Sequence, residues 1–120
     1  MNRVLVTGGA GTIGSAVVRR LLRDPAWEAR VSDQRPAPQW MREGCEVHTG
    51  DLRDHAQARE AMDGCAQVIH LAAIVGGIAN FHKLPHTLTS VNNALYDAII
   101  QAALDHGLER FVYVLSLIHI

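Results

Sequence analysis

The sequence predicts an α/β fold, a parallel sheet wound with helices on both faces, and three observations predict it. Short β-branched and aliphatic runs alternate with stretches of helical periodicity, at the spacing of right-handed crossovers. A glycine cluster, Gly8-Gly9-Ala10-Gly11-Thr12-Ile13-Gly14, separates the first run from the first helical stretch. The chain has 120 residues, 48% of them hydrophobic and 19% charged, which suits one core and leaves no room for two domains.

Taken in order, Arg3 to Val6 is the first strand, and the glycine cluster stops it. Ile13, Val17 and Leu21, with Val18 and Leu22 beside them, recur at helical spacing; Pro25 cannot continue, so this helix runs from Thr12 to about Arg23. Ala29 to Ser32 is the second strand, ending at Asp33. Pro36, Pro38 and a single helical turn then lead to a third strand, Cys45 to Thr49, closed by Gly50-Asp51-Leu52-Arg53-Asp54. Asp54 N-caps a helix through Met62, with Gly64 as its stop. Gln67 to Leu71 is the fourth strand. Beyond Gly76 and Gly77, Leu88, Val91, Leu95, Ala98, Ile99 and Ala102 mark one face of a long helix from near Pro85 to Gly107, and Phe111 to Val114 is the fifth strand.

Composition excludes several function classes. A net charge of -1 steers the chain toward neither nucleic acid nor an anionic membrane. The longest weakly polar run, Ala66 to Ala79, holds a Gln and a His and falls short of the roughly 20 apolar residues that span a bilayer, so no membrane helix is predicted. Cys45 and Cys65 form no Cys-x-x-Cys pair and read as free thiols in a reducing compartment, which predicts a cytoplasmic protein. His82-x-x-x-His86 has metal-like spacing, but Pro85 interrupts it and no third ligand accompanies it, so no metal is predicted. His48 and His70, in or at the ends of strands, are expected to be packed or hydrogen-bonded, and His106 suits the negative end of its helix.

The glycine cluster carries the chemistry. Both Gly9-x-Gly11-x-x-Gly14 and Gly8-x-x-Gly11-x-x-Gly14 fit the dinucleotide fingerprint of a Rossmann-type fold: one glycine for the tight turn, one for close approach to a pyrophosphate, and Gly14 for helix–strand packing. The helix start offers unpaired N–H groups and a positive dipole end to phosphates. Asp33, 19 residues after Gly14, ends the second strand, where a carboxylate accepts ribose hydroxyls and repels a 2′-phosphate. That predicts NAD rather than NADP, with Arg35 the nearby group able to take the phosphate instead.

With these motifs the chain resembles the NAD-dependent epimerase/dehydratase family, the extended short-chain dehydrogenase/reductases. The resemblance runs from Arg3 to Val114, on Thr7 to Gly14, Gly50-Asp51-Leu52-Arg53-Asp54, His70-Leu71-Ala72-Ala73, Val91-Asn92 and Arg110-Phe111-Val112-Tyr113-Val114. It implies that Gly8, Gly11, Thr12, Ile13, Gly14 and Asp33 bind the cofactor, that Asp51 and Leu52 lie against adenine, that Leu71, Ala72 and Ala73 line the nicotinamide-ribose side, and that Asn92 sits in the helix beside the active site. Val75-Gly76-Gly77-Ile78 is similar to a loop of the GDP-sugar branch. A nucleotide-sugar substrate and a homodimer follow as expectations for the intact parent.

The resemblance stops at the catalytic pair. The family uses Tyr-x-x-x-Lys after the fifth strand, where a lysine one helical turn on lowers the tyrosine pKa. Here Ile100 follows Tyr96 by four, Leu117 follows Tyr113 by four, and the chain's only lysine is Lys83. Leu115 to Ile120 departs from the family pattern and reads as translated sequencing-adapter bases, so the sheet is expected to be truncated after its fifth strand. The chain is therefore predicted to be an N-terminal, cofactor-binding part without catalytic residues. The alternative is a stand-alone NAD-binding or redox-sensing module.

Overall fold

The computed structural model describes residues 2–72 and 85–113, the side chains of 85–89 excepted. Among these residues, five strands, β1 (Asn2–Thr7), β2 (Trp27–Asp33), β3 (Glu46–Thr49), β4 (Gln67–His70) and β5 (Arg110–Tyr113), and four helices, α1 (Thr12–Leu22), α2 (Gln39–Gly44), α3 (His55–Met62) and α4 (Pro85–His106), are seen. All four strand pairs are parallel, in the order β3-β2-β1-β4-β5. The chain winds outward from β1 to β3 and then crosses back to β4 on the other side of β1. The topological reversal therefore falls between β1 and β4, where open α/β sheets hold their ligands. This is the predicted doubly wound, Rossmann-type sheet.

Alternation along β1 explains the two layers. Val4 and Val6 point to one face and pack with Val18, Val31, Ala37 and Met41, the ground on which α1 and α2 rest. Leu5 points to the other face and joins Ala58, Ala61, Met62, Val68, Leu95, Ala98 and Ile99 beneath α3 and α4. No helix among the described residues is long and apolar enough to cross a membrane.

The element boundaries shift where pairing overrides composition. β2 begins at Trp27, two residues before the predicted Ala29, because Asn2 and Arg3 of β1 extend the ladder to Trp27 and Glu28 and an Arg3–Glu28 ion pair of 3.1 Å closes it. β3 begins one residue late, since the Cys45 N–H is spent on the Met41 carbonyl at the end of α2, 2.8 Å away. The expected single turn is a six-residue helix, entered at Pro38 with φ -65° and anchored by the fully buried Met41. Asp54 caps α3 as predicted, its carboxylate accepting the Ala56 N–H at 2.9 Å. Both predicted stops, Gly64 and Gly107, have left-handed backbone. Both cysteines are free thiols, Cys65 buried and Cys45 half-buried.

An unexpected charge sits in the core. Arg30, in the middle of β2, has a side chain only 9% exposed. Its Nη1 donates to the Ala61 carbonyl at 2.8 Å and to the Asp63 carbonyl, so it serves as the C-terminal cap of α3. Its Nε lies 3.2 Å from a Glu46 carboxylate oxygen.

The anchoring role of Met41 gives a direct test. Met41→Ala should lower unfolding free energy by about 2–5 kcal/mol, the range for a truncated buried methionine, with the urea midpoint shifting and its slope unchanged. A shift no larger than that of an exposed α2 substitution such as Glu43→Ala would mean that α2 is not pinned by this side chain.

Candidate functional site

The carboxyl ends of the strands gather most of the residues singled out in the sequence. At the end of β1, Gly8 has φ 70° and its N–H donates to the Ser32 carbonyl at 2.7 Å. A Cβ on Gly8 would stand 2.9 Å from the backbone N of Ala72 and the carbonyl carbon of Leu71, so the turn touches the exit of β4 directly. A Cβ on Gly14 would collide with the Gly8 carbonyl and the Gly9 Cα. Glycine at both places is thus a packing requirement as well as a way to keep the surface bare for a phosphate. Gly9, in one of the two fingerprint alignments, instead packs its backbone against Val31 of β2.

Helix α1 starts from Gly11, which lends no side-chain cap, and its first turn carries no acidic residue. Its leading N–H groups, from Thr12, Ile13 and Gly14, stand at a dipole end suited to an anion. Ile13 is 64% exposed there, an apolar side chain held on the outside of the turn. A Cβ on Gly11 would meet only the flexible end of Arg35, 2.8 Å away, and the Gly8 carbonyl at 3.3 Å.

Asp33 has a second job that its spacing did not reveal. One carboxylate oxygen accepts the Ala10 N–H at 3.0 Å, tying the glycine turn to the end of β2. The other accepts the Arg35 N–H at 3.0 Å, and the Arg35 guanidinium lies 3.4 Å from the carboxylate. At the end of β3, Asp51 is gripped by Arg53, whose Nη2 donates at 2.6 Å; this hydrogen bonding holds the Asp51 carboxyl below the usual carboxylate range. Leu52 is 4% exposed and its side chain belongs to the core under α3 and α4. Asn92 is half-buried on α4. Leu71 and Ala72 leave β4 half-buried, while Ala73, the segment Val75 to Ile78 and Lys83 lie outside the described residues.

One transverse row of the sheet escaped the sequence reading. His48, Ser32, Thr7, His70 and Tyr113 stand in register across all five strands. His48 Nδ1 lies 3.0 Å from the Ser32 hydroxyl, and His70 Nδ1 lies 2.7 Å from the Thr7 hydroxyl. The Thr7 oxygen accepts the Leu71 N–H at 3.0 Å and the Ala72 N–H at 3.1 Å. The His70 ring, 2% exposed, stacks on Phe111 and Tyr113, and its burial pushes its pKa down to about 4. Both histidines are thus hydrogen-bonded, as expected, and His106 Nδ1 lies 2.8 Å from the Ala102 carbonyl in the last turn of α4.

A bare glycine turn leading into an uncapped helix, at the reversal point of a parallel sheet, defines the dinucleotide-binding class of α/β domains. Comparison with known proteins narrows the class. The chain belongs to the NAD dependent epimerase/dehydratase family, whose sequence profile matches residues 4–117. It is 34% identical over 119 residues to a 3 beta-hydroxysteroid dehydrogenase/Delta 5→4-isomerase of Mycobacterium tuberculosis, covering 97% of this chain and 32% of the relative. It is 36% identical over 121 residues to a probable GDP-L-fucose synthase of Drosophila melanogaster, covering 97% and 33%. Among solved structures, uronate dehydrogenase from Agrobacterium tumefaciens superimposes with a TM-score of 0.76 at 28% identity, over 97% of this chain and 41% of that one. A short-chain dehydrogenase/reductase superfamily protein from the same organism, solved with bound NAD, gives 0.74 at 32% identity, over 93% and 32%. The chain spans about a third of the length of the curated relatives it matches.

The depressed His70 pKa has a stability consequence of definite sign. A group whose folded pKa lies below its unfolded value of 6.5 leaves the unfolded chain holding the extra proton, so stability falls as pH drops from about 6.5 to about 4. That shift is worth about 3 kcal/mol at most. The wild type should lose more stability across this window than His70→Phe, and proton NMR should place the His70 midpoint near 4. Parallel stability curves for the two proteins would contradict the assignment.

Proposed function

We propose that the chain is the NAD-binding part of an enzyme that moves a hydride between a nucleotide-linked sugar and nicotinamide, as an epimerase, dehydratase or reductase. The observation that carries the reading is the close backbone approach at Gly8 and Gly14, which leaves a side-chain-free surface before the N-terminus of α1. In this reading Gly8, Gly11, Thr12, Ile13 and Gly14 hold the pyrophosphate through backbone N–H groups. Asp33 takes the adenosine ribose, Asp51 and Leu52 bound the adenine, and Leu71, Ala72, Ala73 and Asn92 line the nicotinamide-ribose side. NAD, when bound, supplies the hydride acceptor. These residues bind and orient it; none of them is assigned a proton transfer.

A nucleotide-sugar substrate is supported by the likeness to the GDP-L-fucose synthase and by the glycine-rich segment Val75 to Ile78. The likeness to the hydroxysteroid dehydrogenase supports a second class, a sterol alcohol. Both classes present a secondary carbinol, so the cofactor chemistry is shared. A homodimeric parent and a cytoplasmic location complete the reading.

Calorimetry with both cofactors tests the Asp33 assignment. NAD should bind more tightly than NADP, and Asp33→Ser should narrow that gap by about tenfold, since it removes the charge facing the 2′ position. Tighter NADP binding by the wild type would transfer the role to Arg35. Gly11→Val should abolish binding of either cofactor, because a branched side chain there would occupy the approach of the phosphates. The 120-residue chain should form no NADH from nucleotide sugars above the Gly11→Val control, because it lacks Tyr-x-x-x-Lys. Turnover above that control would favour an unassigned base.

A further inference from the structure

A hydroxyl has one hydrogen to give and two lone pairs to receive with. At Thr7 the hydroxyl oxygen receives the Ala72 N–H at 3.1 Å and a share of the Leu71 N–H at 3.0 Å, the rest of which goes to the Thr7 carbonyl at 3.1 Å. The 2.7 Å contact with His70 Nδ1 must then use the hydroxyl hydrogen, so Nδ1 is the acceptor and the ring proton sits on Nε2. We infer that His70 is a positioning residue: by accepting the Thr7 hydroxyl hydrogen it turns the Thr7 oxygen toward the Leu71 and Ala72 amides and so fixes the backbone leaving β4. The burial that keeps this ring neutral is consistent with the acceptor role.

The effect reaches the glycine turn without any intermediate side chain. Gly8 follows Thr7 directly, and its Cα faces the Leu71–Ala72 peptide too closely to admit a Cβ. The Leu71 N–H is shared with the Thr7 carbonyl at 3.1 Å, whereas the Ala72 N–H has the Thr7 hydroxyl. Losing the hydroxyl's orientation therefore releases Ala72 first. The consequence for affinity rests on the reading that this turn holds NAD; the consequence for the backbone does not.

Two substitutions separate an acceptor from a packed ring. His70→Phe keeps the stacking on Phe111 and Tyr113 and removes the acceptor. His70→Asn removes the ring and restores an acceptor oxygen near the Nδ1 position. In the full 120-residue chain, His70→Phe should speed hydrogen exchange of the Ala72 amide by about tenfold and weaken NAD binding by a similar factor, as expected for one orphaned half-buried donor. His70→Asn should restore both most of the way. The opposite order, with His70→Phe harmless and His70→Asn damaging, overturns the inference in favour of packing, and so does equal damage from both. Nitrogen NMR of the wild type at neutral pH supplies an arm that needs no variant to fold: a protonated Nε2 and a bare Nδ1 support the inference, and the reverse tautomer overturns it. If wild type binds no NAD at all, the functional reading fails, while exchange and tautomer still decide the role of His70.

Discussion

Helix α1 can sit on the carboxyl end of β1 only because the turn between them carries no side chain where the two meet. The Gly8 carbonyl and the Gly9 Cα occupy the space that a Gly14 Cβ would need, and the Leu71–Ala72 peptide occupies the space beside Gly8. That double contact sets the height of α1 above the sheet and brings the ends of β1 and β4 together at the topological reversal. The other parts of the cradle are referenced to it: Asp33 reaches the turn through the Ala10 N–H, and Thr7 reaches the β4 exit through its hydroxyl.

The sheet separates two kinds of work by row. Its middle rows are apolar on the α1–α2 face, and on the other face Leu5, Val68 and Phe111 meet α3 and α4. Its carboxyl-end row is polar from edge to edge, His48, Ser32, Thr7, His70 and Tyr113, and lies under the crevice. Buried polar side chains are tolerated there because each finds a partner within the row or in the adjoining backbone, which converts a desolvation cost into fixed geometry.

How much of this was legible in the sequence follows from whether a signal is local. The strand–turn–helix at Gly8 to Gly14, the Asp54 cap and the stops at Gly64 and Gly107 depend on neighbours in the chain, and each stands where its pattern put it. Asp33 was located by spacing, but its bond to Ala10 was not, because that bond depends on how the turn folds back over β2. Thr7 and Ser32 look like strand-end residues until the register pairs them with His70 and His48 from distant segments. Leu52 carried a motif position whose side chain the core claims, since tertiary packing decides which way that loop turns. The two-residue extension of β2 likewise depended on a partner strand, not on its own composition.

Arg30 has a consequence for how this sheet can diverge. Its guanidinium satisfies the carbonyls of Ala61 and Asp63 and stands against the half-exposed Glu46 carboxylate, so a buried charge on β2 ties the end of α3 to the solvent-facing edge of β3. Removing the guanidinium would take the donor from the two carbonyls at the end of α3, whereas Glu46, its side chain 52% exposed, would be met by water. Change at position 30 is therefore coupled tightly to the end of α3, where the carbonyls must find another donor, and only loosely to Glu46, so the two ends of one charged side chain constrain the sequence unequally.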